Sequence, residues 1–237
     1  MAERVVVVTG AAGGIGSAIA RRFTADGDSA IGLDLLDGFD VTDPAACDDA
    51  CAQVIAEHGR IDVLCNNAGI SAVGDVVAST PDEWDRVFAV NVFGVANMSR
   101  AALPHLRQAS NGVVVNTCSV AASVGLVERA VYSAAKGAVL ALTRAMAADE
   151  VVHGVRVNCV SPGTVWSPWV ERLVAGSDDP DTSLDALRRR QPLGRLVGVD
   201  EVADAVAYLA SPSTFTTGAD FLLDGGITAV RLVEPGR

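Results

Sequence analysis

Four consecutive valines, Val5 to Val8, run directly into Thr-Gly-Ala-Ala-Gly-Gly-Ile-Gly at positions 9–16. A stretch that is apolar at every position has no face to offer water, so as a strand it must be covered on both sides. The segment after it carries almost no side chains, which lets bare backbone approach a neighbour or an anion. The same pattern recurs. Apolar runs at 29–34, 61–65, 112–118, 154–160 and 219–224 are separated by longer segments with helical spacing of apolar residues, such as PAACDDACAQVIAEHG and DEVADAVAYLAS. Strand and helix alternating along the whole chain predict an α/β fold: one domain over 1–237, a doubly wound parallel sheet of six to seven strands with helices on both faces.

Composition narrows the contents of that fold. Half of the 237 residues are hydrophobic but only 5% are aromatic, so the core must be built of Ala, Val, Ile and Leu between close layers. The formal charge of -11 repels phosphate backbones and anionic lipid, which argues against nucleic-acid or membrane-surface partners. No apolar run approaches the roughly 20 residues of a membrane span, and MAERVVVV lacks the apolar stretch and cleavage site of a signal peptide. The expectation is a cytoplasmic protein acting on a small molecule. Cys47, Cys51, Cys65, Cys118 and Cys159 are odd in number and scattered, which predicts buried free thiols. No metal site is predicted, because no His or Cys completes the Cys47–Cys51 pair and His58, His105 and His153 lie far apart.

Punctuation agrees with the helices. Thr80 before Pro81 and Glu83 predicts a capped start, and Gly59 and Gly154 predict left-handed helix ends. Two segments are harder to place. The stretch at about 164–198, with SDDPDTSLD and RRRQP, reads as an irregular mobile lid over a cleft. Between Asp34 and Asp40 only LLDGF intervenes, too short for a parallel crossover helix. The helix that would follow strand two is therefore predicted missing, the next strand shrunk to a remnant around Phe39–Val41, and the adjoining pocket open.

Gly10, Gly14 and Gly16, with Ile15 between the last two, have the spacing of a strand-to-helix turn that binds a pyrophosphate at the helix N-terminus. Asp34 ends the second strand about 20 residues further on, the place from which a carboxylate accepts both ribose hydroxyls and repels a 2′-phosphate. This favours NAD over NADP. Tyr132 and Lys136 are four apart on one predicted helix and share a face, so the ammonium can favour the phenolate and lower a phenol that ordinarily titrates near ~10.

With TGAAGGIG, DVTD at 40–43, NNAG at 66–69, Asn91, Ser119, YSAAK at 132–136 and PGTVWSP at 162–168, the chain resembles the short-chain dehydrogenase/reductase family over essentially its whole length. The resemblance implies a Rossmann-type domain and a catalytic tetrad of Asn91, Ser119, Tyr132 and Lys136. Ser119 would bind the substrate oxygen, Tyr132 would take its proton, and Asn91 would bend its helix to hold a water relaying protons from Lys136. It further implies that Asp40 and Val41 meet the adenine, that Asn67, Ala68 and Gly69 floor the adenosine ribose, and that Pro162, Gly163, Val165 and Ser167 cup the nicotinamide. Trp166-Ser167 replaces the Asp-Thr frequent in such proteins. A homotetramer through the long helices at 80–109 and 131–152 is also implied.

Three residues suggest a substrate. Arg129, three before Tyr132, could clamp a carboxylate or sulfonate, and Arg-x-x-Tyr resembles the pattern of hydroxy-acid dehydrogenases. The alternative is an exposed Arg paired with Glu128 or another acid. Trp166 and Trp169 are expected to wall the substrate pocket, and Arg188 to Arg190 to form a solvated face. The function expected is NAD-dependent oxidation of a secondary alcohol, possibly a hydroxy acid or sugar acid. The alternatives are an NADPH-dependent ketone reductase and a non-catalytic dinucleotide-sensing regulator.

Overall fold

The structure, a computed structural model, describes residues 3–232. In chain order the elements are β1 (Val5–Thr9), α1 (Gly14–Ala25), β2 (Ser29–Leu33), α2 (Pro44–His58), β3 (Val63–Asn66), α3 (Pro81–Phe88), α4 (Gly94–Leu106), β4 (Val113–Thr117), α5 (Ala130–Glu150), β5 (Arg156–Pro162), β6 (Val165–Trp166), α6 (Pro168–Ala175), α7 (Pro180–Arg189), β7 (Val197–Gly198), α8 (Val199–Ala210) and β8 (Asp220–Leu223). Six strands form one parallel sheet in the order β2-β1-β3-β4-β5-β8, and β6 pairs with β7 apart from it.

The valine run explains the layering. Side chains alternate across a strand, so Val6 and Val8 enter the layer holding Ile19, Phe23, Val206 and Leu209, from α1 and α8. Val5 and Val7 enter the opposite layer with Cys51, Val54, Met98 and Leu106, from α2 and α4. All four valines are buried, each contributing about 1.5–3 kcal/mol. Thr80 accepts the Glu83 N–H at 3.3 Å with Pro81 in the first turn, and Gly59 and Gly154 take left-handed φ of 75° and 72°. The five cysteines are buried free thiols, and burial pushes Cys47 up to about 11 and Cys51 and Cys65 up to about 12.

Two expectations are corrected. Phe39–Val41 forms no strand, not even a remnant: after β2 the chain makes a 3-10 turn at Leu35–Asp37, and α2 itself crosses directly to β3. Local bonds satisfy the backbone there, with the Asp34 carbonyl accepting from Asp37 and Phe39 and the Asp40 carbonyl from Asp43. The gap thus removes a strand together with its helix and leaves β2 at the sheet edge. The stretch 164–198 is ordered into two helices and two short strands rather than irregular. Pro168 and Pro180 start helices whose N-caps are Ser167 and Asp179.

The chain leaves β1 for β2 on one side and returns to β3 on the other. Where strand order reverses, the loops at the carboxyl ends of β1 and β3 part and open a crevice.

Candidate active site

The glycine turn fills the β1 side of that crevice. Gly10 has φ +67°, and an added Cβ would lie 2.8 Å from Ala68 Cα; at Gly16 it would lie 2.2 Å from the Gly10 carbonyl oxygen. Both positions therefore require glycine. No side chain caps the N-terminus of α1 and no acid sits in its first turn, so its unpaired amides are available to an anion. They face a cleft of about 370 Å³ bordered by Ala12, Gly14, Ser17, Trp166, Ser167 and Val199. A close approach of bare backbone, an uncapped helix and a cleft beside them fit a dinucleotide pyrophosphate.

Asn67 ties this turn to β3, its amide donating to the Thr9 and Gly10 carbonyls at 3.1 and 3.2 Å. Thr9, which the motif reading passed over as a site residue, accepts from the Asn67 and Ala68 N–H groups at 3.0 and 3.1 Å. Asp34 stands across the mouth. Its carboxylate accepts from Ala12 N at 2.9 Å and Leu36 N at 3.0 Å, which holds negative charge beside the glycine turn. Asp40 is exposed and caps its own turn through Thr42 N, while Val41 is buried beneath Gly94 and its carbonyl accepts from Asn97.

A second cluster gathers where β3 and β4 meet α5. Lys136 is 5% exposed and its ammonium donates to the Thr117 carbonyl at 2.7 Å. The same nitrogen lies 5.8 Å from the centroid of the Tyr132 ring. Asn91 is fully buried in a π-turn at Ala89–Phe93 that joins α3 to α4. Its side chain accepts from Ile70 N at 2.8 Å and donates to Ile70 O at 2.9 Å. Gly69 draws these groups together, since a Cβ on it would sit 3.2 Å from Asn91 Oδ1 and 3.7 Å from Lys136 Nζ. Ser119 caps a 3-10 turn packed on α5 and accepts from Ala121 N at 3.2 Å, which leaves its O–H to donate. Cys118 donates to the Lys136 carbonyl at 3.2 Å. The neighbouring Cys159 thiol and the Lys136 ammonium hold the Cys118 thiol down, at about 7, while Cys118 and burial drive Cys159 upward.

The third group closes the far end. Pro162 ends β5, and Gly163 N donates to the Leu223 carbonyl at 3.0 Å. Val165 is buried in β6, and Ser167 accepts the Val170 N–H at 3.4 Å. Behind the turn lies Gln191, absent from the sequence reading because a lone glutamine carries no motif. It is 1% exposed, its amide has no partner among the described residues, and a Cβ on Gly163 would lie 2.5 Å from its Oε1. Trp166 borders the cleft beside the glycine turn, and Trp169 is exposed. Arg129 is half-buried and ion-paired with no acid among the described residues, Glu128 included.

Comparison with known proteins agrees with this geometry. The family model described as Enoyl-(Acyl carrier protein) reductase matches residues 30–228. The chain is 39% identical to L-fucose dehydrogenase of Mus musculus, over 94% of this chain and 88% of that one. It is also 39% identical to meso-2,3-butanediol dehydrogenase of Serratia marcescens, over 96% and 95%. Among solved structures, ligand-free Thermoplasma acidophilum aldohexose dehydrogenase superposes with a TM-score of 0.92 at 34% identity, over 99% of this chain and 98% of that one. ElxO with NADP bound gives 0.87 at 25%, over 95% and 98%. With the parallel sheet, the glycine turn and the Tyr132–Lys136 cluster in one crevice, these matches make the chain an oxidoreductase of the short-chain dehydrogenase/reductase family.

Proposed function

We propose that the protein is an NAD-dependent dehydrogenase of secondary alcohols, with a hydroxy acid or sugar acid as its substrate. The observation that carries this reading is the buried Lys136 ammonium, held by the Thr117 carbonyl and 5.8 Å from the Tyr132 ring centroid. A positive charge so placed favours the phenolate and suits Tyr132 to take a hydroxyl proton. Ser119 donates to the substrate oxygen and steadies its developing charge. Asn91, fixed by both of its bonds to Ile70, positions the backbone at Gly69 and the proton path behind Lys136.

When bound, nicotinamide supplies the hydride acceptor. Gly10, Gly14, Ile15 and Gly16 would hold its pyrophosphate, and Asn67 to Gly69 the adenosine ribose. Asp40 and Val41 would border the adenine, and Pro162, Gly163, Val165 and Ser167 the nicotinamide. The Asp34 carboxylate at the end of β2 supports NAD, because a 2′-phosphate would meet like charge there. The NADP found in ElxO favours the second reading, a reductase using NADPH. Exposed apolar residues such as Phe93 and Phe215 support a homotetramer, measurable by light scattering, and the acidic charge suits a cytoplasmic enzyme.

Purified protein assayed with NAD and with NADP against sugars, sugar acids, hydroxy acids and plain diols, by absorbance of the reduced cofactor, tests the reading. Reduction of NAD by an acidic alcohol, with NADP at least ~10-fold poorer in kcat/KM, is the expected result. Preference for NADPH and a ketone would replace it with the reductase.

A further inference from the structure

Between the glycine turn and the Tyr132–Lys136 pair, hydrogen bonds run without a break through two residues, Asn67 and Thr117. The backbone ladder joining β3 to β4 ends at Asn66 opposite Asn116, where the strands part to open the crevice. A side-chain bond takes over. The Thr117 hydroxyl donates to Asn67 Oδ1 at 3.3 Å, one step beyond the last backbone pair.

The Asn67 amide can point only one way. Its nitrogen donates to the Thr9 and Gly10 carbonyls at 3.1 and 3.2 Å, so its oxygen must turn toward Thr117, where only a donor satisfies it. The glycine turn closes on the same nitrogen. A Cβ on Gly16 would lie 2.7 Å from Asn67 Nδ2, and one on Gly10 would lie 3.2 Å from it. The turn is therefore shaped around the Asn67 side chain.

The Thr117 carbonyl serves the other end. Ala68 N, the next donor along β3, bonds the Thr9 hydroxyl instead at 3.1 Å, while on the far edge of β4 Cys118 N is committed to the Val160 carbonyl of β5 at 2.8 Å. The Thr117 carbonyl is left to accept from the buried Lys136 ammonium at 2.7 Å. One residue thus holds the amide that shapes the glycine turn and the charge that faces the phenol. A threonine at the end of a strand carries no motif, and nothing in the sequence singles it out.

We propose that Thr117 is a positioning residue that couples the two ends of this path: its hydroxyl fixes Asn67 and the pyrophosphate turn, and its carbonyl fixes Lys136. Filling the turn then steadies the ammonium, and the ammonium in place favours filling of the turn, by the same factor in both directions. The proposal rests on the dehydrogenase reading for the roles of the turn and of Lys136, and adds to it a residue that acts through its neighbours.

The test measures 5′-ADP binding by calorimetry, since ADP carries the adenosine and pyrophosphate but no nicotinamide or second ribose to extend toward the Tyr132 end. Lys136→Met should weaken ADP binding at least ~3-fold more in the Thr117 protein than in Thr117→Val or Thr117→Ala, which both lack the O–H. Attraction of ADP by the Lys136 charge through space is common to all backgrounds and cancels. Thr117→Ser keeps the hydroxyl and should keep the difference. Equal effects of Lys136→Met with and without the hydroxyl overturn the proposal. In a second arm with NAD saturating, single-turnover oxidation of the best alcohol should fall ~10-fold in Thr117→Val and return to within ~3-fold in Thr117→Ser. Loss of NAD affinity with the saturated rate unchanged confines Thr117 to the turn, which overturns the coupling and leaves the dehydrogenase standing. Non-additive ADP binding in a protein that oxidises no alcohol supports the coupling, and the dehydrogenase reading alone fails.

Discussion

The two ends of the crevice are built by opposite means. At the Tyr132 end, polar groups are buried and bonded: Lys136 to Thr117, Asn91 to both backbone groups of Ile70, and behind them a chain from Ser99 through Asn66 and Asn116 to Thr143. At the Asp34 end, β2 is the sheet edge, and Leu35 and Leu36 stand 69% and 84% exposed on a three-residue turn. One carboxylate supplies the polar specificity there. The contrast teaches that geometry is over-determined where a proton must move between fixed atoms, and is left sparse where a ligand need only be discriminated by charge.

Substitutions at the two ends should therefore differ in size. Gly16→Ala puts a methyl 2.2 Å from the Gly10 carbonyl oxygen; overpacking of about 1–3 kcal/mol should appear in thermal unfolding, with NAD binding lost in calorimetry. Gly38→Ala, at the open end with φ +85° and no atom within 4 Å, should cost only the left-handed penalty of about 1–2 kcal/mol and spare NAD binding. Equal losses of binding would erase the distinction. Asn91→Ala strands Ile70 N and O, and should lower stability by about 1–3 kcal/mol with kcat falling more than KM changes. At the sparse end Asp34→Ala should raise the KM for NAD by ~10-fold and lower that for NADP, while kcat holds.

The smallest effect concerns α8. Glu201 accepts from Arg195 at 2.7 Å through both oxygens and from Gly198 N at 2.8 Å, which holds it down at about 2. A depressed carboxyl contributes stability above its unfolded pKa near 4.5 and loses it as pH falls toward 2. The pair is about half exposed, so screening limits the contribution to no more than about 1 kcal/mol. Glu201→Gln should lower the melting temperature slightly at pH 7, and the difference should close on acidification.

The strands and their layering were legible because Val, Ile and Leu runs covered on both faces leave one kind of sheet open to them. The Tyr132–Lys136 pair was legible from a helical repeat. Asn91 showed as a poor helix residue, but the π-turn around it did not, since its contacts are tertiary: the Asn91 side chain bonds both backbone groups of Ile70 in the loop after β3. The segment 164–198 was misread from its polar and charged stretches, SDDPDTSLD and RRRQP, whereas Ser167 and Asp179 cap helices that begin at Pro168 and Pro180. The burial of Gln191 depends on how the chain after α7 docks on Gly163, which no local pattern records.

The central claim is that the Tyr132 phenol, beside the Lys136 ammonium, handles the proton. Tyr132→Phe keeps the ring and its packing and removes only the hydroxyl. Measured side by side, NAD affinity by calorimetry should stay within ~3-fold of wild type while single-turnover oxidation of the best alcohol falls by ~10²–10⁴-fold. Oxidation at the wild-type rate by a folded, NAD-binding Tyr132→Phe protein would contradict the account.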